Sequence, residues 1–122
     1  MIDVNKFFSA VIRQRKDELR PFFADDAVIN WHCTNEKFTP DEYVRANCEY
    51  PGNWEGEIEK TFIADKTAVV VGVICGADGA SLHCISIIEC DGDKIISLDE
   101  YFADDGQAPD WRLGMNIGEK IK

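Results

Sequence analysis

Positive charge is scarce in this chain. Thirteen lysines and arginines stand against 23 aspartates and glutamates, a net charge of −10 over 122 residues. Binding phosphates requires a basic face, and the only small basic group is Arg13, Arg15 and Lys16. No nucleic-acid or anionic-membrane partner is therefore expected. Paired cysteines are lacking too. The five cysteines (33, 48, 75, 84 and 90) are odd in number and include no C-x-x-C, which argues against a disulfide framework or a zinc knuckle. The longest apolar run, Ala68 to Cys75, falls far short of the roughly 20 residues needed to cross a bilayer. The N-terminal "MIDVNKFFSAVIRQRKDELR" scatters charges through its apolar residues, unlike a secretory signal. A cytoplasmic location is expected. The length suits one domain, residues 1–122, able to bury a core without metals or disulfides.

What is present has clear periodicity. Val4, Phe7, Phe8, Val11, Ile12 and Leu19 recur at three- and four-residue spacing, which predicts a helix over residues 3–20 with Asp3 as N-cap, and Pro21 either ends it or starts a short second one. A strand follows in "FFADDAVINWHC", and "TNEKF" reads as a loop. Thr39, Pro40 and Glu42 form a capping box with proline at the first helical position, and that helix stops near Pro51-Gly52. From Trp54 onward the pattern is four strands in a meander. Helices first and antiparallel strands last predict an α+β domain with its helices on one face of the sheet.

The two strongest turn signals set the expected registers. Asp91-Gly92 is a hairpin dipeptide. With those two residues at the turn centre, Glu89 faces Lys94, Ile87 faces Ile96, Ile85 faces Leu98, and His83 faces Glu100. One face then carries isoleucine and leucine with His83 and Glu100 at its far end. Asp78-Gly79 counted in the same way sets Ile74 against His83 and Gly72 against Ile85, leaving room beside the His–Glu pair. Directly opposed side chains lie about 4.5–5.5 Å apart at Cβ. A histidine and a carboxylate so placed on an apolar face are candidates for proton transfer. Equally, such a pair can satisfy itself and fix the register.

The succession "FFADDAVINW…TNEKFT…EYVRANCEYPGNW…SLHCISIIECDGDKIISLDEYFADDGQAPDWR" resembles the SnoaL-like group of the nuclear-transport-factor-2-like superfamily, relatives of the ketosteroid isomerases and polyketide cyclases. Trp31, the block Asn47…Tyr50-Pro51-Gly52…Trp54 and "DGDKIISLDEYF" carry the resemblance. It implies a cone: a strongly curved, mostly antiparallel sheet enclosing a pocket, with the N-terminal helices packed on it. It also implies a homodimer through the outer face of the sheet. Cyclases of this type use an acid on a late strand, about where Glu100 stands.

Three functions are compatible with these observations. The first is a cofactor-independent isomerase, cyclase or dehydratase for a small apolar carbonyl or polycyclic compound. Glu100 would move the proton, His83 would orient it or act as the acid, and Trp31, Tyr50, Trp54 and Ile85 would give shape around the space at Gly72. The second is a non-catalytic binding module for an apolar metabolite. The third is a protein whose cavity is filled by its own side chains. Trp31, Trp54, Phe62 and Tyr50 either line a cavity or build core, Tyr101 alternates away from Glu100 and is expected at an interface or on the outer face, and Asn47 either caps the pocket or lies on a wet helix face. Trp111-Arg112 either closes the pocket or packs outside. Neither His32-Cys33 nor His83-Cys84 can aim both members at one ion from a strand, so no metal site is expected.

Overall fold

The computed structural model describes residues 1–122. Helix α1 runs Val4–Arg13, with the Asp3 carboxylate accepting from the Lys6 amide as its N-cap. It ends ten residues in rather than at Arg20, because Gln14 takes a left-handed conformation (φ 55°). A short α2 (Lys16–Leu19) and a 3-10 turn follow. Helix α3 (Pro40–Cys48) starts on the expected capping box, with Thr39 and Glu42 exchanging hydrogen bonds reciprocally. The remaining elements are β1 (Phe23–Trp31), β2 (Glu36–Phe38), β3 (Trp54–Ala64), β4 (Thr67–Gly76), β5 (Ser81–Asp91), β6 (Lys94–Asp104) and α4 (Asp110–Leu113). No helix is long and apolar enough to cross a membrane.

The six strands form one sheet in the order β2-β1-β6-β5-β4-β3. The β3 to β6 meander is antiparallel as expected, but β1 joins β6 in parallel, aligning Trp31 with Glu100, so the sheet is mixed. The "TNEKF" segment is not all loop: Glu36–Phe38 forms β2 at the edge, opposite Ile29–Trp31. One face of the sheet is covered by α1 and α3. The core between them holds Phe7, Leu19, Phe23, Ile29, Tyr43, Ile88, Ile95 and Leu98.

Both expected hairpin registers are wrong. Asp91 pairs with Lys94, so Gly92-Asp93 forms the turn, and only Gly92 of the two has positive φ. A bulge then displaces Ile96, and beyond it Glu89 faces Ser97, Ile88 faces Leu98, Ser86 faces Glu100 and His83 faces Ala103. The offset from the expected pairing is three residues. An odd offset sends every side chain to the opposite face. Cys84, Ser86, Ile88 and Cys90 are therefore buried, while His83 and Ile85 are exposed. At the other hairpin, Ala77-Asp78-Gly79 forms a three-residue loop closed by the Gly76 amide on the Ala80 carbonyl at 2.8 Å. Gly72 consequently meets Cys84, not Ile85.

Gly72 is buried, and no space stands over it. A Cβ placed there would lie 2.7 Å from Cε2 and 3.1 Å from Cζ of Phe8 on α1. The glycine admits the Phe8 ring against the sheet, so the expected gap is filled from the helix. Gly72→Ala is expected to cost about 1–3 kcal/mol through overpacking, with much of that loss restored in combination with Phe8→Leu. Urea unfolding of the two single variants and the double variant would measure the coupling. Additive losses would show that the ring does not define the site.

Candidate functional site

The concave side of the sheet is layered by strand alternation. On β6 the residues facing the helices are Leu98, Glu100, Phe102 and Asp104, and on β5 they are Leu82, Cys84, Ser86 and Ile88. The layer of Leu98 and Ile88 is solid core. At the opposite end, Leu82, Phe102 and Asp104 meet Ile74 of β4 and the indoles of Trp31 and Trp54 around a cavity of about 420 Å³. Its remaining wall comes from Val11 and Ile12 of α1, Gln14 at the C-cap of that helix, Asn47 of α3 and Tyr50 just beyond it. Cys33, Thr34 and Glu36 close the side after β1. Nine of the 14 lining residues are apolar or aromatic, the composition and size of a small-molecule pocket rather than of a charged surface groove.

Between the core and the cavity lies Glu100, only 5% exposed. Its Oε1 accepts from the Trp31 indole N–H at 3.1 Å, and its Oε2 accepts from Ser86 Oγ at 2.5 Å and from Cys84 Sγ at 3.7 Å. Burial drives the Glu100 pKa upward, while the donors from Ser86, Trp31 and Cys84 act in the other direction. The same burial, aided by the nearby Glu100 charge, pushes the Cys84 thiol up, so it is no thiolate nucleophile. Tyr43, fully buried beneath Trp31 with ring centroids 6.1 Å apart, carries the one buried side-chain polar atom with no hydrogen-bond partner, its hydroxyl. Burial first and Glu100 second raise its pKa well above the usual tyrosine value.

His83 is not part of this site. Its side chain is on the opposite face of the sheet, where Nδ1 meets Asp105 and Nε2 lies 3.4 Å from Glu59 Oε1. The imidazole–carboxylate pair expected with Glu100 does not exist. Ile85, also on the outer face, and Gly72, occupied by Phe8, contribute nothing to the cavity wall. Phe62 likewise points outward, and Tyr101 lies on the outer face as its alternation with Glu100 predicts; both are exposed. Trp31, Asn47, Tyr50 and Trp54 do line the cavity, and Glu100 stands directly behind Trp31. Trp111 is 68% exposed and closes nothing. Sequence reading missed Gln14, Ile74, Leu82, Phe102 and Asp104. The last two share the parity of Glu100 and were legible from it once the strand's buried face was known.

No family model matches the sequence, and no curated protein matches it. Solved structures do. A candidate ketosteroid isomerase from Kribbella flavida superposes with a TM-score of 0.81 at 20% identity, covering 97% of this chain and 86% of that one. The fold is nuclear-transport-factor-2-like. An NTF2-like protein of unknown function from Burkholderia xenovorans gives a TM-score of 0.80 at 20% identity, covering 98% of this chain and 92% of its own. A ketosteroid-isomerase-like fold from Catenulispora acidiphila, solved in complex with trimethylamine, gives 0.73 at 18% identity, covering 82% of this chain and 84% of its own.

The raised pKa of Glu100 has a sign that can be checked. An acid with a folded pKa above its unfolded value of about 4.3 binds its proton more tightly when folded. Its favourable contribution is present below about pH 4.3 and is lost as pH rises through the folded value. Glu100→Gln keeps a carbonyl for the Trp31 indole and has no proton to lose. The stability of this variant relative to wild type is therefore expected to improve as pH rises from about 4 to about 8, read as urea midpoints across that range. Parallel pH curves for the two proteins would show that the carboxyl is not held protonated by its surroundings.

Proposed function

We propose that this protein binds a small, largely apolar molecule in the cone cavity. The single observation that carries the reading is the enclosure of about 420 Å³ walled mainly by Trp31, Trp54, Tyr50, Phe102, Ile74 and Leu82. The space opens to solvent on one side, and a concave apolar and aromatic wall of this size is the form that small-molecule sites take. The Kribbella neighbour is named as a candidate ketosteroid isomerase, and the Catenulispora neighbour was captured with a small amine, so the fold is compatible with small ligands.

Proton-transfer catalysis by Glu100, of the isomerase, cyclase or dehydratase kind, is a second reading, favoured by a buried carboxyl with a raised pKa next to the cavity. Geometry favours binding over turnover. Both carboxyl oxygens are already engaged with Trp31, Ser86 and Cys84, and the indole stands between the acid and the cavity. Enolisation also needs a donor for the developing oxyanion; the amide and indole donors of the cavity wall are bonded elsewhere, which leaves only the Thr34 and Tyr50 hydroxyls for that role.

Tryptophan fluorescence tests the reading. Saturable changes are expected on titration with small aromatic and alicyclic compounds, weakened about tenfold or more in Trp54→Ala, a loss of the size expected on removing one large apolar wall. The compound should be recovered unchanged after incubation. Absence of any saturable response would defeat the binding reading. Conversion by wild type but not by Glu100→Gln would establish the catalytic one in its place.

We also propose a homodimer through the outer face of the sheet. Cross-strand rows there bring Val71, Ile85 and Tyr101 together, with Phe62, Val69 and Ile87 in the next row. Phe62, Ile85 and Tyr101 are exposed, forming an apolar surface of the kind that marks an interface. Light scattering is expected to give twice the chain mass for wild type and the monomer mass for Ile85→Glu. A wild-type monomer at about 100 μM, well above a micromolar dissociation constant, would refute the dimer.

A further inference from the structure

We propose that the ligand of this cavity is an organic cation, an amine or quaternary ammonium carrying an apolar body, recognised by aromatic faces and unspent acceptors. The inference rests on the small-molecule reading above and adds the charge of the ligand.

An account of donors and acceptors carries it. Among the 14 lining residues there is no lysine, arginine or histidine. The wall's side-chain nitrogens are spent on the protein itself. Gln14 Nε2 donates to the carbonyls of Asn47 at 2.9 Å and Tyr50 at 2.8 Å. Asn47 Nδ2 donates to the Val11 carbonyl at 3.0 Å and approaches Cys48 Sγ. The Trp31 indole N–H is bound to Glu100 and the Trp54 indole N–H to the Pro51 carbonyl. The Cys33 thiol donates to the Phe102 carbonyl. Only the Thr34 and Tyr50 hydroxyls remain as side-chain donors.

The acceptors are in the opposite state. Neither the amide oxygens of Gln14 and Asn47 nor the carboxylates of Glu36 and Asp104 take part in any side-chain hydrogen bond, and neither carboxylate is in an ion pair. Gln14 and Asn47 also stand at the C-terminal ends of α1 and α3. Two helix C-termini, each with partial negative charge, therefore converge on the cavity. Of the nearby basic side chains, Lys16 of α2 and Arg45 of α3 are engaged by Glu49, while Arg13 in the last turn of α1 is exposed and does not line the cavity.

The aromatic wall suits the same ligand. Trp31 and Phe102 meet edge to face at 5.6 Å, as do Tyr50 and Trp54 at 5.5 Å. A cation over such faces gains from the ring quadrupole, most strongly over tryptophan and when shielded from water. An anion or a carbonyl oxygen finds no free side-chain nitrogen here and only the Thr34 and Tyr50 hydroxyls to donate to it, whereas an ammonium finds aromatic rings and acceptors without breaking an existing hydrogen bond.

Three probes of similar shape separate the possibilities: benzyltrimethylammonium, its neutral carbon isostere neopentylbenzene, and the phenylacetate anion. They are titrated against the Trp111→Phe chain, in which only Trp31 and Trp54 report. The cation is expected to bind about tenfold or more tighter than the neutral isostere, and phenylacetate more weakly than either. Glu36→Gln combined with Asp104→Asn should reduce cation binding about threefold or more and leave the neutral probe unchanged. Both positions are exposed, so the variant should fold normally. Neutral binding equal to or tighter than cation binding would overturn the inference and leave the small-molecule reading standing, as would a double variant with unchanged preference. Failure of all three probes would remove both readings together.

Discussion

The cavity depends on the attachment of β1 to the rest of the sheet. The other neighbouring strands pair antiparallel, but β1 enters alongside β6 in parallel and places Trp31 next to Glu100. Parallel pairing is slightly weaker per residue than antiparallel, and here the hydrogen bond from the Trp31 indole to the Glu100 carboxyl spans the join. Ser86 on β5 holds the other carboxyl oxygen. One side chain thus connects three strands and fixes the orientation of the indole that walls the cavity. A buried carboxyl is costly unless bonded, and here its partners are supplied on the same face by alternate residues of β5. That requirement explains why the buried face of β5 carries cysteine and serine instead of the isoleucines next to them.

The same requirement explains what sequence reading recovered and what it lost. Both long helices announced their starts, because capping is local chemistry: Asp3 bonds three residues ahead, and Thr39 with Glu42 closes a box within one turn. The meander was legible from alternation and glycine turns. Strand parity was not. A rule that buries the more apolar set of β5 chooses Ile85 and Ile87, yet the concave face takes Cys84, Ser86 and Ile88, and the outer face keeps isoleucine. The turn added to the error. Gly92 stands first in its turn, not second, and the bulge at Ile96 adds another step. No local signal in residues 89–97 distinguishes these registers. The partner that decides them is Trp31, about 70 residues away in the chain. The parallel entry of β1 was hidden for the same reason.

Errors of parity had unequal consequences. Residues whose place does not depend on hairpin counting, Asn47 on α3, Tyr50 in the loop after it and Trp54 at the first position of β3, were found at the cavity even though the sheet registers were wrong. Trp31 was found as well, since it ends its strand at the cavity edge. His83, Gly72 and Ile85 depended wholly on hairpin counting and were lost together. Glu100 survived the shift because Leu98 shares its parity on β6, and leucine there does mark the buried side.

What the cavity offers a ligand is set by what the scaffold has already consumed. Joining the ends of α1 and α3 uses the amide nitrogens of Gln14 and Asn47, because helix C-termini present carbonyls in need of donors. Holding the two indoles uses their N–H groups on Glu100 and on the Pro51 carbonyl. Each bond is structural in purpose, but each removes a donor from the wall and leaves the amide oxygens of Gln14 and Asn47 without a side-chain hydrogen bond. A pocket built where two helices end therefore acquires negative polarity from backbone geometry alone, before any acidic residue is added. Glu36 and Asp104 at its edge extend that polarity. Reversing it would require a lysine or arginine in the wall, and such a side chain would first be drawn to the helix-end carbonyls that Gln14 and Asn47 now satisfy.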